Sequence, residues 1–149
     1  MLKSINPLLN ADILHTLRAM GHGDRIVVCD TNFPAYAVAG ETVVGEPLRM
    51  DNTSAPEAVE AILSVLPLDT FIDDPAQRMQ VVGQPDEVPE VQQQVQAVVN
   101  AAEDREWPLV AVERFAFYDA ARSAFAVVQT GERRFYGCFI FSKGVIPPA

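Results

Sequence analysis

At 149 residues, 49% hydrophobic and 21% charged, the chain has the composition of one globular domain, large enough to bury a core without disulfides or metal. A formal net charge of −9 argues against nucleic acid and anionic membrane surfaces, because both demand a basic face. Two cysteines inside apolar runs (Cys29 and Cys138), no signal-like leader and no apolar run of transmembrane length read as a soluble cytoplasmic protein with buried thiols.

Asn10 or Asn6 caps a first helix, with Ile13, Leu14, Leu17 and Met20 on one stripe and Gly21 as its stop. His15 lies in that helix, facing solvent or packed on a neighbour. Arg25 to Cys29 is a buried strand, and Asp30 to Gly40 reads as a loop punctuated by Asn32, Pro34 and Gly40. Thr42 to Met50 holds a short strand interrupted at Pro47. Ser54-Ala-Pro-Glu57 is a capping box that opens an amphipathic helix running toward Pro67. Arg78 to Val82 is strand-like. From Pro89 to about Ala102 the valines are spaced as a helix face, with Gln92, Gln93 and Gln94 on its wet side. Strands are expected at Leu109–Val112, Ala126–Gln129 and Tyr136–Phe141, with a helix from Glu113 to Phe125 between the first two. The alternation implies a single three-layer α/β domain over residues 1–149 with a mostly parallel central sheet.

Familiar chemical motifs are missing. No Gly-x-Gly-x-x-Gly or Walker loop supports a nucleotide, no Gly-x-Ser-x-Gly supports a serine nucleophile, and the histidines and cysteines lack metal-ligand spacing. What remains is a set of polar side chains at element ends: His22, Asp30, Arg114, Tyr118 and Tyr136. His22 can give and take a proton near neutral pH. Asp30 can accept from hydroxyls, and the arginine and tyrosines offer directional donors suited to a small polyol. Phe33 beside them suits the apolar face of a sugar ring. Each also has a structural reading. His22 fits an exposed helix stop, Asp30 a cap of the turn before Pro34, Arg114 a surface pair with Asp119 or Glu113, and the tyrosines the rim of the core.

Several separated segments then agree in order with one family. Met20-Gly-His-Gly-Asp24, Asp30 with Asn32-Phe-Pro34, Leu66-Pro-Leu-Asp-Thr70, Glu113-Arg-Phe-Ala-Phe-Tyr118, Thr130-Gly-Glu132, Tyr136-Gly137 and Lys143-Gly-Val145 together resemble the RbsD/FucU family, and within it the L-fucose mutarotase branch. The resemblance implies an isomerase that interconverts anomers of a free monosaccharide, most simply L-fucose, with no cofactor and no metal. It implies His22 as the catalytic histidine and Asp30, Arg114, Tyr118, Tyr136, Gly137 and Cys138 as the sugar contacts. The family's binding segment ends in asparagine where this chain has Cys138. The resemblance also implies a homo-oligomer, a decamer being the family's frequent size, with sites at subunit contacts. A D-ribose pyranase-like activity and a non-catalytic sugar-binding module are the alternatives.

Overall fold

The structure is a computed structural model that describes residues 2–103 and 105–149. The described residues form eleven elements, helices and strands alternating up to the last two strands: α1 (Ala11–Ala19), β1 (Arg25–Cys29), α2 (Ala35–Ala39), β2 (Leu48–Met50), α3 (Ala55–Leu63), β3 (Ala76–Met79), α4 (Glu90–Ala102), β4 (Val110–Val112), α5 (Arg114–Arg122), β5 (Ala126–Thr130) and β6 (Phe139–Ser142). The strands form one sheet in the order β2-β5-β1-β6-β3-β4. Neighbours β1/β5, β2/β5 and β3/β4 are parallel, whereas β6 runs antiparallel to both β1 and β3. Five strands therefore point one way and β6 alone points back.

Strand alternation sends successive side chains to opposite faces of the sheet. Ile26 and Val28 of β1, with Phe139 and Phe141 of β6, pack beneath α1, α3 and α4. Val27 and Cys29, with Ile140 and Cys138, pack beneath α2 and α5. Both faces are covered, which explains why β1 and β5 are continuous apolar runs rather than alternating ones. No helix among the described residues is long and apolar enough to cross a membrane.

The helix signals act as expected at two starts. Asn10 Oδ1 accepts from the Ile13 N–H at 3.0 Å, and Ser54 and Glu57 close the capping box of α3. Three of the differences from the expectation bear on the site. The stretch read as a loop contains α2, because Pro34 and Gly40 lie at its ends rather than inside it, and Val38 and Ala39 bury against the sheet. The last strand starts at Phe139, not Tyr136. Tyr136 has φ +62°, a left-handed backbone that no strand accommodates. Gln92 is not on the wet side of α4; it is fully buried, while Gln93 and Gln94 are exposed.

Candidate active site

Because β1, β3 and β4 run in one direction and β6 in the other, the C-terminal ends of the first three meet the start of β6 at one edge of the sheet. That edge is where α/β folds collect ligand-facing groups. Here it carries a pocket of about 250 Å³ lined by Asp30, Asn32, Phe33, Met79, Arg114, Tyr118, Phe135, Tyr136 and Cys138. This is smaller than the roughly 300–1,000 Å³ of most ligand sites, a scale suited to one sugar ring.

Asp30 is the acceptor of the pocket and is only 4% exposed. Its Oδ1 accepts the N–H groups of Asn32 at 2.9 Å and Phe33 at 3.0 Å. Its Oδ2 accepts the Gly137 N–H at 3.2 Å and the Cys138 thiol at 3.5 Å. Burial raises the Asp30 pKa above the ordinary aspartate value, and these four donors oppose the rise. A carboxylate has about four lone-pair sites, so all are engaged; the thiol is the weakest donor and the one a sugar hydroxyl displaces most readily. Burial likewise pushes the Cys29 and Cys138 thiols well up, so neither is a thiolate nucleophile.

The donors face Asp30. Arg114 opens α5 and is exposed, and its Nε donates to the Tyr118 hydroxyl at 3.2 Å one turn later. That contact raises the arginine's pKa further and leaves its two terminal nitrogens for a ligand. Glu113 does not neutralise it, because the Glu113 carboxylate caps α5 through the Phe115 and Ala116 N–H groups. Asp119 pairs with Arg122 instead. The Tyr136 hydroxyl accepts from the Val82 N–H at 3.2 Å. Since both tyrosine oxygens accept inside the protein, each hydroxyl hydrogen is free to donate into the pocket. Phe33 lies 5.5 Å from Tyr118 and supplies the apolar wall.

Three residues support this wall. Gln92 donates to the carbonyls of Met79 at 2.8 Å and Tyr136 at 3.0 Å, and accepts from Arg78 at 2.8 Å. It pins the left-handed turn at Tyr136 to the end of β3. Gly137 must be glycine because a Cβ there would sit 2.8 Å from Glu132 Cγ and 3.4 Å from Asp30 Cβ. Glu132 is 5% exposed and joins Arg134 through both carboxylate oxygens while accepting the Ala55 N–H at the start of α3. The Arg134 hydrogen bonds lower the Glu132 pKa to about 2. Because the folded value lies below the unfolded one, the contribution to stability is complete above about pH 4.5 and is lost as pH falls toward about 2. It amounts to on the order of 3 kcal/mol. Thermal unfolding at pH 7 should therefore show Glu132→Gln well below wild type, with the gap narrowing below about pH 4.5 and closing only toward about pH 2. A gap independent of pH would contradict this account.

His22 is elsewhere. It lies in the turn before β1, at the opposite edge of the sheet from Asp30, which follows β1. The five residues of the strand alone span about 16 Å. His22 Nε2 lies 3.1 Å from Asp69 Oδ1, and its ring meets Phe71 edge-on with centroids 5.4 Å apart. Asp69 is 3% exposed. Burial opposes its ionisation, but the Phe71 N–H and His22 outweigh it and the pKa is lowered. A carboxylate can only accept, so Nε2 carries the hydrogen and Nδ1 is the nitrogen left for chemistry. The His22 side chain is 46% exposed, and Phe71 beside it is 73% exposed. Asp69 was visible in the sequence only as part of Leu66-Pro-Leu-Asp-Thr70; its pairing crosses 47 residues and no local pattern announces it.

The sequence pattern of the RbsD / FucU transport protein family matches residues 3–146. The chain belongs to the RbsD/FucU family. It is 39% identical to the fucose mutarotase of Bos taurus over 99% of this chain and 96% of the bovine protein. The crystal structure of the protein Atu2016 superposes with a TM-score of 0.96 at 56% identity, covering 99% of this chain and 97% of that one. The fucose mutarotase of Streptococcus pneumoniae, solved with L-fucose, gives a TM-score of 0.87 at 33% identity, covering 98% of this chain and all of the other. The three-layer, mostly parallel architecture is thus the family's own.

Proposed function

We propose that this protein is a fucose mutarotase, an isomerase that interconverts the anomers of free L-fucose. One observation carries the reading: the chain matches fucose mutarotases from end to end, at 39% identity for the bovine protein and 42% for that of Danio rerio. The pocket agrees with it, offering one fixed carboxylate, several outward donors and an aromatic wall to a small polyol.

The chemistry is a proton relay. A proton reaches the ring oxygen as one leaves the anomeric hydroxyl; the C1–O5 bond opens to the aldehyde, C1–C2 rotates, and closure on the other face reverses both transfers. In this reading His22 Nδ1 takes the proton from the anomeric hydroxyl and passes it to the ring oxygen, and Asp69 holds the ring through Nε2–H. Arg114, Tyr118 and Tyr136 donate to the hydroxyls, and Asp30 accepts after the Cys138 thiol gives way. Gly137 contributes backbone, its N–H being spent on Asp30.

His22 cannot reach the Asp30 pocket of its own chain across β1. We infer that the working site is composite, with the His22 edge of one copy seated over the Asp30 edge of the next. Exposed aromatics flank both edges, Phe71 at one and Phe115 and Phe135 at the other. Head-to-tail contacts of this kind close into rings when the rotation between copies closes, which accords with the oligomer that the family likeness implies.

Saturation-transfer NMR of L-fucose tests the reading. The protein should accelerate anomer exchange, and His22→Ala should remove about 10²–10⁴-fold of that acceleration. Binding of fucose with no faster exchange would favour a sugar-binding module, and acceleration confined to ribose would favour a pyranase.

A further inference from the structure

Lys143 takes no part in the mechanism above, yet it stands where β6 meets both halves of the His22–Asp69 pair. Its Nζ donates to the carbonyls of Leu17 at 2.7 Å and Met20 at 2.6 Å, so the ammonium closes the C-terminal end of α1 one residue before the Gly21–Asp24 turn. A cation here satisfies carbonyls that have no partner inside the helix and meets the negative end of its dipole. The backbone of the same residue clamps the turn from the other side. Gly23 N–H donates to the Lys143 carbonyl at 2.8 Å, and Lys143 N–H donates to the Asp24 carbonyl at 2.9 Å.

The residues flanking Lys143 fix Asp69. The Asp69 N–H donates to the Ser142 carbonyl at 3.0 Å, and the Gly144 N–H donates to the Pro67 carbonyl at 2.8 Å. A Cβ at Gly144 would fall 2.3 Å from the Leu68 carbonyl oxygen, so only glycine lets the two segments touch. Three consecutive residues therefore set the imidazole against its carboxylate. Of their side chains, that of Lys143 is the one that grips the helix end leading to the turn.

We infer that Lys143 is a positioning residue for the reaction: it holds the Gly21–Asp24 turn, and with it the His22 ring, in register with Asp69. This rests on the reading of His22 as the proton carrier. A loosened turn lets the ring leave Asp69, mixes the two tautomers and takes Nδ1 out of line with the ring oxygen. Misplacement of a reacting group by about 1 Å is enough to cost up to roughly a hundredfold in rate.

The test compares wild type, Lys143→Met and Lys143→Arg. Nitrogen-detected NMR of the His22 ring, assigned by its loss in His22→Ala, should show one Nε2–H tautomer in wild type and an averaged or broadened signal in Lys143→Met. Fucose anomer exchange should fall about tenfold or more in kcat with KM nearly unchanged, and Lys143→Arg, which keeps donors for both carbonyls, should restore both readouts. If Lys143→Met does not fold, Lys143→Gln, with one amide donor group, replaces it with the same expectation at smaller amplitude. An unaltered His22 signal in a variant whose Tm has dropped would overturn the inference and leave Lys143 a merely structural helix cap. If His22→Ala exchanges anomers at the wild-type rate, the proton-carrier reading fails on its own, while the ring signal still reports whether Lys143 sets the His22 geometry.

Discussion

Two impaired variants should rescue each other. His22→Ala lacks the proton carrier, and Arg114→Ala/Tyr118→Phe lacks two donors of the pocket; each alone should exchange fucose anomers near the uncatalysed rate. Both changes are gentle on the fold, since His22 and Arg114 are exposed and Tyr118 loses only a rim hydroxyl. Co-expressed in equal amounts and purified as mixed oligomers, they should recover about a quarter of the wild-type activity per site. The reason is combinatorial: a complete site needs a His22-bearing chain on one side and an Arg114-bearing chain on the other, each present with a chance of about one half. Anomer exchange measured on the mixed oligomer, against the same variants mixed without subunit exchange, gives the answer. A mixture no faster than the mean of its parts would place the whole reaction in one chain and break the composite reading. The geometric basis is the direction of β1. His22 and Asp30 are eight positions apart in sequence, but a strand lies between them, so proximity in the chain becomes separation across the sheet.

That separation marks where the sequence was legible and where it was not. Strand β1 and the capping of α1 and α3 follow from local pattern, because apolar runs and cap side chains act within a few residues. The pocket residues Asp30, Arg114, Tyr118 and Tyr136 are recognisable as polar groups at element ends and Cys138 only through the family likeness, and the fold brings all five to one cavity. Asp69, Glu132, Gln92 and Lys143 were not legible as parts of the site. Asp69 and Lys143 meet partners 47 and 123 or more residues away in sequence, and Glu132 and Gln92 add to nearer partners one 77 and one 44 residues away, so tertiary packing fixes them. Gln92 shows the failure most plainly. A run of three glutamines on an amphipathic helix is ordinarily its solvent face, and for Gln93 and Gln94 it is. The first of the three turns inward because Arg78 and two carbonyls at the end of β3 and the Tyr136 turn leave polar groups that only an amide can satisfy together.

Replacing Gln92 by leucine should therefore be among the most damaging single changes outside the pocket. The side chains are similar in volume, so the loss is polar rather than steric. Arg78 is 8% exposed, and burial already pulls its pKa below the ordinary arginine value. Without the Gln92 amide oxygen, its NH1 keeps only a long 3.4 Å contact to the Glu87 carbonyl. The Met79 carbonyl loses its amide partner, and so does the Tyr136 carbonyl. A buried polar group left unpaired costs about 1–3 kcal/mol, more where charge is involved, so the loss at Arg78, the Met79 carbonyl and the half-buried Tyr136 carbonyl comes to at least about 3 kcal/mol. At about 2–4 °C per kcal/mol for a chain of this size, the Tm should fall by roughly 10 °C. The effect should also reach the site. Tyr136 holds a left-handed backbone against its own preference, with its carbonyl tied to Gln92, and Gly137 next to it donates to Asp30. Released, the turn relaxes and withdraws both the Tyr136 hydroxyl and the Gly137 N–H, so fucose affinity should weaken well below the melting temperature. Gln92→Glu separates the two parts: its carboxylate still accepts from Arg78 but cannot donate to the two carbonyls. It should keep more of the stability than leucine while losing the same affinity. Calorimetric titration with L-fucose beside thermal unfolding of both variants would decide it, and full affinity in either variant would detach the Tyr136 turn from Gln92.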